Sequence, residues 1–377
     1  IFLDDPLLYD YIENLIFQLV LHSDLHDRQL QLVVVDNPTI NAFAVPGGIV
    51  GVHNGLVHQA ETEDELAAVL AHEIAHLSQR HFSRQREQAQ SQSTLTIAGL
   101  MAAIALAATA GSDAGLAAMT ATQAAAQDSR LRYSRANESE ADRIGLRTLV
   151  ASGRDPHAAA DMHERMLASH RLYSTNRLPE FLRTHPLSEK RVADMRNRAR
   201  AERRVIRPKS FDFQLMQARV RHQLARTPKA AIDLFKEQTL KGGTEAAAGW
   251  YGLALAQLDA NEPIKARNAL EQAMKPDPKN IAFLIANATI DTALGRHQSA
   301  LKQLKRRLNL SPGNHPLTMA YADALWQAGM PHIASQILKT QSKRKPEDPG
   351  LWYRLAEVQG LAGDIIGLHQ SRAEYFI

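Results

Sequence analysis

No cysteine occurs anywhere in the 377 residues of the sequence. The chain therefore has neither a disulfide framework nor a thiolate ligand, so any metal site must use histidine and carboxylate side chains. A strong excess of one charge is also missing, because 44 lysine and arginine residues stand against 40 aspartate and glutamate residues. This excess is too small for a dedicated nucleic-acid-binding protein, and we expect no nucleic acid among the partners.

The chain also lacks an apolar run of the length that a membrane-spanning helix needs. No charged residue occurs from Gln88 to Ser112, but the most apolar part, Leu95 to Ala110, is rich in alanine and glycine. It is about 16 residues long, whereas a spanning helix needs roughly 20. We predict an apolar helical hairpin at 88–126, either buried or lying over the functional site as a lid. The flanking Arg84 and Arg86 leave contact with a membrane surface open.

What the sequence does have is a metal-ligand pattern on one predicted helix. The run from His72 to His76, HEIAH, matches the HExxH pattern of zinc peptidases. Thr62 and Glu65 form a capping box before an apolar stripe, which predicts the helix. His72 and His76 lie on one helix face and can bind one ion, while Glu73 can pass a proton from water to a leaving amine. The alternative is a chance match.

An acidic cluster further along the chain supplies the third ligand that a hydrolytic zinc site needs. In the run NESEAD we predict Glu138 to be this ligand. Asp142 lies four residues later on the same helix face and can orient a ligand histidine through its second ring nitrogen. Glu140 points away from that face and is expected to be solvated. His81, shortly after the HEIAH run, is expected to be exposed.

Three short apolar runs predict a small sheet before the HEIAH helix. Leu30–Val35 is rich in β-branched residues, and Asn41–Val45 and Ile49–Val52 flank a Pro-Gly-Gly turn, which indicates a hairpin. The edge of such a hairpin could pair with an extended peptide. Simple packing of the two strands is the alternative.

The second half of the chain is repetitive. Small residues and prolines recur every 34 positions, in four columns: Ala254, Ala288, Ala322 and Ala356; Ala266, Ala300 and Ala334; Pro278, Pro312 and Pro346; Gly295, Gly329 and Gly363. This period is typical of tetratricopeptide repeats, which stack helical pairs into a solenoid. We predict a peptidase domain at 1–198, a linker at 199–210 and repeats at 211–377, with a degenerate first unit and an incomplete last one.

The HEIAH and NESEAD runs together resemble the HtpX and CaaX-prenyl-protease class of gluzincin metallopeptidases. The segments Asn41–Ala44 and Thr184–Arg191 also fit that class. A peptidase of this class followed by tetratricopeptide repeats is similar to the periplasmic zinc metallopeptidases that carry such repeats. The resemblance implies a mostly α protein, in which an α+β zincin-like peptidase domain with a small β-hairpin sheet precedes an α-solenoid of repeats.

The same resemblance implies Zn²⁺ as the cofactor and places His185 near it. His185 could occupy the open coordination position and keep the enzyme latent, or it could stabilise the oxyanion of the tetrahedral intermediate. Arg191 could bind that oxyanion or the substrate carbonyl. A surface turn for His185 and a salt bridge on a helix face for Arg191 are the alternatives.

The resemblance further implies an endopeptidase and chaperone that acts on misfolded or stalled outer-membrane β-barrel proteins. The repeats would recruit these clients and the outer-membrane insertion machinery. The implied location is the periplasm, although this chain contains no signal peptide. Two alternatives are a repeat-based chaperone or adaptor with a latent metal site, and a membrane-associated quality-control protease of the HtpX kind.

Overall fold

The computed structural model describes residues 3–110, 112–172, 181 and 185–376. The chain divides into two compact units. One is Leu15–Arg207, and the other combines Ile1–Asn14 with Pro208–Ile377. The fold is mostly helical with one small sheet, as predicted. The structure groups the first 14 residues with the repeats, whereas the sequence interpretation assigned them to the peptidase domain.

Helix α1 (Pro6–Val20) leads into a three-stranded sheet. Its strands are β1 (Gln31–Val35), β2 (Ala42–Val45) and β3 (Ile49–His53), in the order β1-β3-β2. The predicted hairpin is confirmed, because β2 pairs antiparallel with β3, while β1 lies parallel on the other side of β3. Gly47 and Gly48 in its turn have φ of +94° and +81°, a conformation that favours glycine. Strand β2 is therefore an edge of this sheet.

The HEIAH run lies on a buried helix. Helix α2 (Asn54–Gln59) is followed by helix α3 (Glu63–Ser78). Thr62 caps the N-terminus of α3, because its hydroxyl oxygen accepts a hydrogen bond from the Glu65 N–H at 3.2 Å. The face of α3 that carries Leu66, Leu70 and Ile74 is fully buried. This burial holds α3 rigidly and so fixes the direction of the polar side chains that it carries.

Two long helices form a hairpin that extends beyond the predicted segment 88–126 at both ends. Helix α4 (His81–Ala110) and helix α5 (Ser112–Ala151) run antiparallel, since Arg84 contacts Glu140 near one end and Gly99 faces Thr122 further along. Where its side chains are described, the hairpin is not buried, because large apolar side chains are exposed on it: Ile97, Met101, Ile104, Leu116 and Met119. Within the part of the chain that the structure describes, no helix has the length and hydropathy needed to cross a membrane.

Two shorter helices complete the Leu15–Arg207 unit. Helix α6 (His157–Leu172) packs against both α3 and α7 (Glu189–Arg200). Helix α7 begins at Ser188, whose hydroxyl oxygen accepts a hydrogen bond from the Arg191 N–H at 3.3 Å. A Cβ on Gly145 of α5 would lie 3.0 Å from the backbone nitrogen of His72, so the glycine lets α5 approach α3 closely. This close approach brings the acidic cluster to the HEIAH run.

The repeats consist of successive helical pairs, as the period predicted. Their helices are α8 (Phe211–Leu224), α9 (Pro228–Thr239), α10 (Gly243–Asp259), α11 (Pro263–Ala273), α12 (Ile281–Ala293), α13 (His297–Leu310), α14 (His315–Gln327), α15 (Pro331–Ser342), α16 (Pro349–Leu361) and α17 (Ile365–Phe376). The alanines that recur in the second helices, Ala266, Ala300 and Ala334, are fully buried. Small side chains at these places let neighbouring helices pack closely.

The glycine column has a conformational cause. Gly295, Gly329 and Gly363 each follow the first helix of a pair and have φ between +74° and +78°. Asn261 stands 34 residues before Gly295 and has φ of +59°. Asparagine tolerates the left-handed region better than most residues, so it takes the place of glycine in this unit.

Candidate metal centre

Four side chains that the sequence pointed to converge in the Leu15–Arg207 unit. His72 and His76 come from α3, Glu138 from α5, and His185 from the segment before α7. Each offers one ligand atom, and these four atoms all lie within 4.8 Å of one another. Nε2 of His72 and Nε2 of His76 are 3.0 Å apart, and they lie 3.5 and 3.4 Å from the carboxylate oxygens of Glu138. The arrangement could hold a metal ion.

Asp142 holds the first histidine of this group from behind. Its Oδ1 lies 3.1 Å from Nδ1 of His72, the ring nitrogen that faces away from the convergence point. Arg191 of α7 donates two hydrogen bonds to Asp142, from Nε at 2.8 Å and from Nη2 at 2.7 Å. Its Nη1 also lies 3.0 Å from Glu138. Arg191 therefore fixes two of the carboxylates.

Burial and charge oppose each other strongly in this cluster. Burial disfavours a charged His72, but its hydrogen bonds with Asp142 and Glu138 outweigh this effect and raise its pKa to about 10. Burial also disfavours a charged Glu138, yet contacts with His185 and His72 hold the pKa of Glu138 well below its usual range. Burial and the neighbouring His72 lower the pKa of His76 to about 2. The contacts with the two imidazoles thus favour the charged form of Glu138.

Glu73 lies beside the four convergent groups. Its side chain is 1% exposed, and its Oε1 is 3.5 Å from Nε2 of His185. Burial raises the pKa of Glu73, and a backbone hydrogen bond from Ala44 of β2 partly offsets this effect. A carboxyl group with a raised pKa, next to a possible metal site, is suited to acid–base chemistry.

An open cleft of about 640 Å³ leads to these groups. Its lining includes Glu73, His76, Glu138 and His185, together with residues 43–48 of the hairpin. Strand β2 thus borders the cleft as the edge of its sheet. A peptide lying in the cleft could pair with this edge through its backbone.

Of two expectations about neighbouring residues, that for His81 was wrong and that for Glu140, whose side chain is 29% exposed, was incomplete. His81 is 3% exposed rather than on the surface, and its Nδ1 lies 2.9 Å from Nδ1 of His76. Glu140 is not simply solvated, because its Oε2 contacts His81 at 3.1 Å and Arg84 at 3.2 Å. His163 of α6, which the sequence interpretation did not single out, is also buried, with Nε2 3.9 Å from Asp142. No spacing pattern in the sequence points to it.

His185 and Arg191 are the two other residues for which the sequence predicted a role in the site. His185 is 7% exposed, its ring stacks on Phe181, and its Nδ1 lies 3.2 Å from both carboxylate oxygens of Glu138. It is therefore not a surface turn. Arg191 is salt-bridged to Glu138 and Asp142 of α5 rather than along the face of its own helix, and it is not among the residues that line the cleft. Thr184 lies outside the described residues.

Two protein-family models match this chain. The model of peptidase family M48 matches residues 6–199, and a tetratricopeptide repeat model matches residues 291–359. The chain belongs to peptidase family M48 and is a metallopeptidase with repeats, which confirms the resemblance drawn from the motifs.

Similar proteins carry more specific names. The chain is 36% identical to the beta-barrel assembly-enhancing protease of Escherichia coli (strain K12), over 95% of this chain and 73% of that protein. It is 33% identical to the beta-barrel assembly-enhancing protease of Yersinia pestis, over 95% of this chain and 74% of that protein. The mitochondrial metalloendopeptidase OMA1 of Schizosaccharomyces pombe is 34% identical over 48% of this chain and 50% of its own length.

Proposed function

We propose that this metallopeptidase is a zinc-dependent endopeptidase in which His72, His76 and Glu138 bind the ion. The observation that carries the proposal is the convergence of two imidazole nitrogens and a carboxylate at 3.0–3.5 Å from one another. Around a tetrahedral zinc ion with bonds of about 2.0–2.2 Å, neighbouring ligand atoms lie roughly 3.3–3.6 Å apart. The donor types fit zinc, and both histidine–Glu138 distances lie in this range, while the two histidine nitrogens, at 3.0 Å, are slightly closer.

Glu73 is the general base and then the general acid. A bound zinc ion lowers the pKa of water and polarises the scissile carbonyl group. Glu73 accepts the proton of the attacking water and delivers it to the leaving amine. Its burial supports this role, because a raised carboxyl pKa lies closer to the working pH and lets the same group both accept and donate.

His185 regulates access to this site in our proposal. Its ring nitrogen lies within 4.8 Å of the three ligand atoms, which supports the position of a fourth ligand. If His185 filled that position on a bound zinc ion, its imidazole would take the place of the attacking water, and the enzyme would be latent. Release of His185 towards the cleft would open the site, where the imidazole could stabilise the oxyanion. Arg191 is held by two carboxylates, which favours a positioning role over direct contact with substrate.

We propose that substrates bind as extended segments along β2. The edge position of β2 and its place on the cleft lining support this mode. Unfolded chains fit such a site, because a folded domain seldom offers a free extended segment.

We propose that the substrates are misfolded or stalled outer-membrane β-barrel proteins in the periplasm. The names of the relatives in Escherichia coli and Yersinia pestis support this choice. The repeats would bring these clients or the insertion machinery to the enzyme, since solenoids offer extended binding surfaces. A second candidate function is a repeat-based chaperone with a latent metal site, which the position of His185 beside Glu138 favours.

The substitution Glu73→Gln tests both candidates. It keeps the shape of the side chain but removes the base, so we expect the cleavage rate of an unfolded β-barrel protein to fall about 10²–10⁴-fold. Zinc content, measured by mass spectrometry, should stay at the level of the unmodified protein. The exposed Glu202→Gln is the matched control and should change neither quantity.

Unchanged cleavage by Glu73→Gln would contradict the endopeptidase mechanism. The second candidate predicts a different pattern, in which Glu73→Gln still promotes assembly of the β-barrel client in vesicles. If the unmodified protein promotes assembly but cleaves nothing, the chaperone function is the correct one.

A further inference from the structure

His76 is held from behind by a chain of three side chains. Its Nε2 faces the candidate metal centre, and its Nδ1 lies 2.9 Å from Nδ1 of His81. Nε2 of His81 lies 3.1 Å from Oε2 of Glu140, and Arg84 donates a hydrogen bond to the same oxygen at 3.2 Å. His81 is 3% exposed, so its ring is largely shielded from water, whereas Glu140 and Arg84 at the far end of the chain are 29% and 44% exposed.

The order of donors along this chain follows from its far end. A carboxylate oxygen of Glu140 can only accept a hydrogen bond, so Nε2 of His81 must be the protonated ring nitrogen that donates this hydrogen bond. In a neutral imidazole the other nitrogen is then an acceptor, so Nδ1 of His81 accepts from the Nδ1–H of His76. This leaves Nε2 of His76 without a proton and with its lone pair towards Glu138 and His72. A metal ligand needs that tautomer.

The other histidine of the HEIAH run has a shorter support of the same kind. Nδ1 of His72 faces Asp142, and Asp142 accepts two hydrogen bonds from Arg191. Each histidine is thus supported by a carboxylate that an arginine holds in place. The support of His76 differs by one inserted imidazole, that of His81.

We propose that His81, held by Glu140 and Arg84, is the positioning residue that selects the tautomer and ring orientation of His76 for metal binding. The proposal rests on the proposed zinc site. His81 and Arg84 open helix α4, and Glu140 lies on α5. The base of the α4–α5 hairpin is therefore part of the support of the metal centre, and partners of ligand histidines of this kind contribute 10–100-fold to metal affinity.

Zinc dissociation constants, measured on the full chain by competition with a chelator, test the proposal. Leucine cannot accept a hydrogen bond from the Nδ1–H of His76. We therefore expect His81→Leu to weaken zinc binding about 10–100-fold. His81→Gln keeps an accepting oxygen and should restore most of the affinity. Glu140→Ala should weaken binding as well, because His81 loses the group that fixes its own tautomer.

Two controls separate the possible outcomes. His157→Leu removes another histidine with a carboxylate contact, to Asp155 at 3.2 Å, and should leave zinc affinity unchanged. His76→Ala removes a proposed ligand, so unchanged affinity in that variant would overturn the zinc site itself. Thermal unfolding of each metal-free variant shows whether it has folded.

The proposal on His81 fails if His81→Leu and Glu140→Ala fold and bind zinc as tightly as the unmodified protein, while His76→Ala loses zinc. It also fails if His81→Gln binds zinc as weakly as His81→Leu, since a purely steric role would then explain both. If His81→Leu does not fold, Glu140→Ala and His81→Gln alone decide, with a loss expected in the first and retention in the second.

Discussion

The two units of the molecule bury opposite kinds of side chain. The peptidase unit buries a cluster of ionisable groups, His72, Glu73, Glu138 and Asp142, from two separate helices. The repeats bury methyl groups at fixed intervals, as Ala266, Ala300 and Ala334 illustrate. Charge in a low-dielectric interior is costly and is kept where chemistry needs it, whereas small apolar side chains let helices stack at low cost.

The difference predicts where a substitution acts. A change in the buried charge cluster should alter metal binding and catalysis first, whereas a change in the repeats should alter stability first. All three tryptophans of the chain, Trp250, Trp326 and Trp352, lie in the repeats. Tryptophan fluorescence therefore reports on unfolding of that unit separately from activity.

Glu138→Gln, in the buried charge cluster, should give the largest effect. It replaces a proposed zinc ligand with a weaker one. The affinity for zinc should therefore fall by more than the 10–100-fold expected on loss of a residue that only supports a ligand histidine. Peptidase activity should fall with it, and the denaturation midpoint of the tryptophan signal should not move. Full activity with bound zinc would show that Glu138 is not a ligand. Glu202→Gln is the control.

Asp5→Ala tests the exception to the comparison. Asp5 is a buried charge in the repeat unit, where Arg219 contacts it at 2.9 Å and Gln223 donates to it at 2.6 Å. Removal of Asp5 leaves Arg219, which is 19% exposed, with its hydrogen bond to Tyr251 but without a carboxylate partner. This should cost about 1.5–3 kcal/mol in the free energy of unfolding. Denaturant unfolding followed by tryptophan fluorescence measures this loss.

A neighbouring acid provides the control for that experiment. Asp4 contacts Arg354 at 3.2 Å, but its side chain is 43% exposed. Asp4→Ala should therefore cost less than about 1 kcal/mol. Equal effects of the two substitutions would show that the buried pair does not tie residues 1–14 to the repeats.

Gly329→Ala should give the smallest effect. Gly329 has φ of +78°, and a Cβ there would meet no heavy atom within 4 Å. The cost is therefore conformational and should be about 1–2 kcal/mol. Asn261→Gly, at the equivalent place, should change stability by much less, because asparagine already occupies this conformation. A larger loss from Asn261→Gly than from Gly329→Ala would mean that the side chain of Asn261 matters more than its backbone.

The repeats were predictable because their information is local. Each unit repeats the same small residues at the same spacing, so the period alone indicates the helical pairs. Asn261 marks the limit of this approach. The 34-residue spacing places Asn261 in the glycine column although its residue type differs, and the backbone angle of +59° shows that its conformation is the same.

The metal centre was predictable only in part. The HEIAH run and the NESEAD cluster predicted that His72, His76 and Glu138 bind one ion. The structure brings these three side chains close together. The expectation that His81 is exposed was wrong because the chain does not continue as one helix here. In a continuous helix, the fifth residue after His76 would point away from His76. Helix α3 instead ends near Ser78, Arg80 takes the left-handed conformation with φ of +52°, and α4 begins at His81.

The expectation that Glu140 is solvated was incomplete for a related reason. On a single helix, the side away from Glu138 faces water, but α4 packs against that side of α5 and brings His81 and Arg84 to it. Tertiary contacts between helices, which spacing within one helix does not encode, decide the surroundings of such residues. The same limit applies to Arg191, whose two carboxylate partners come from α5.

Anomalous diffraction at the zinc absorption edge, from crystals of the purified protein, tests the proposed metal centre most directly. We expect a single strong peak within about 2.0–2.2 Å of Nε2 of His72, Nε2 of His76 and a carboxylate oxygen of Glu138, with His185 as the fourth neighbour. A peak bound by other residues, or zinc-loaded protein with no peak at these three side chains, would contradict the proposed zinc site.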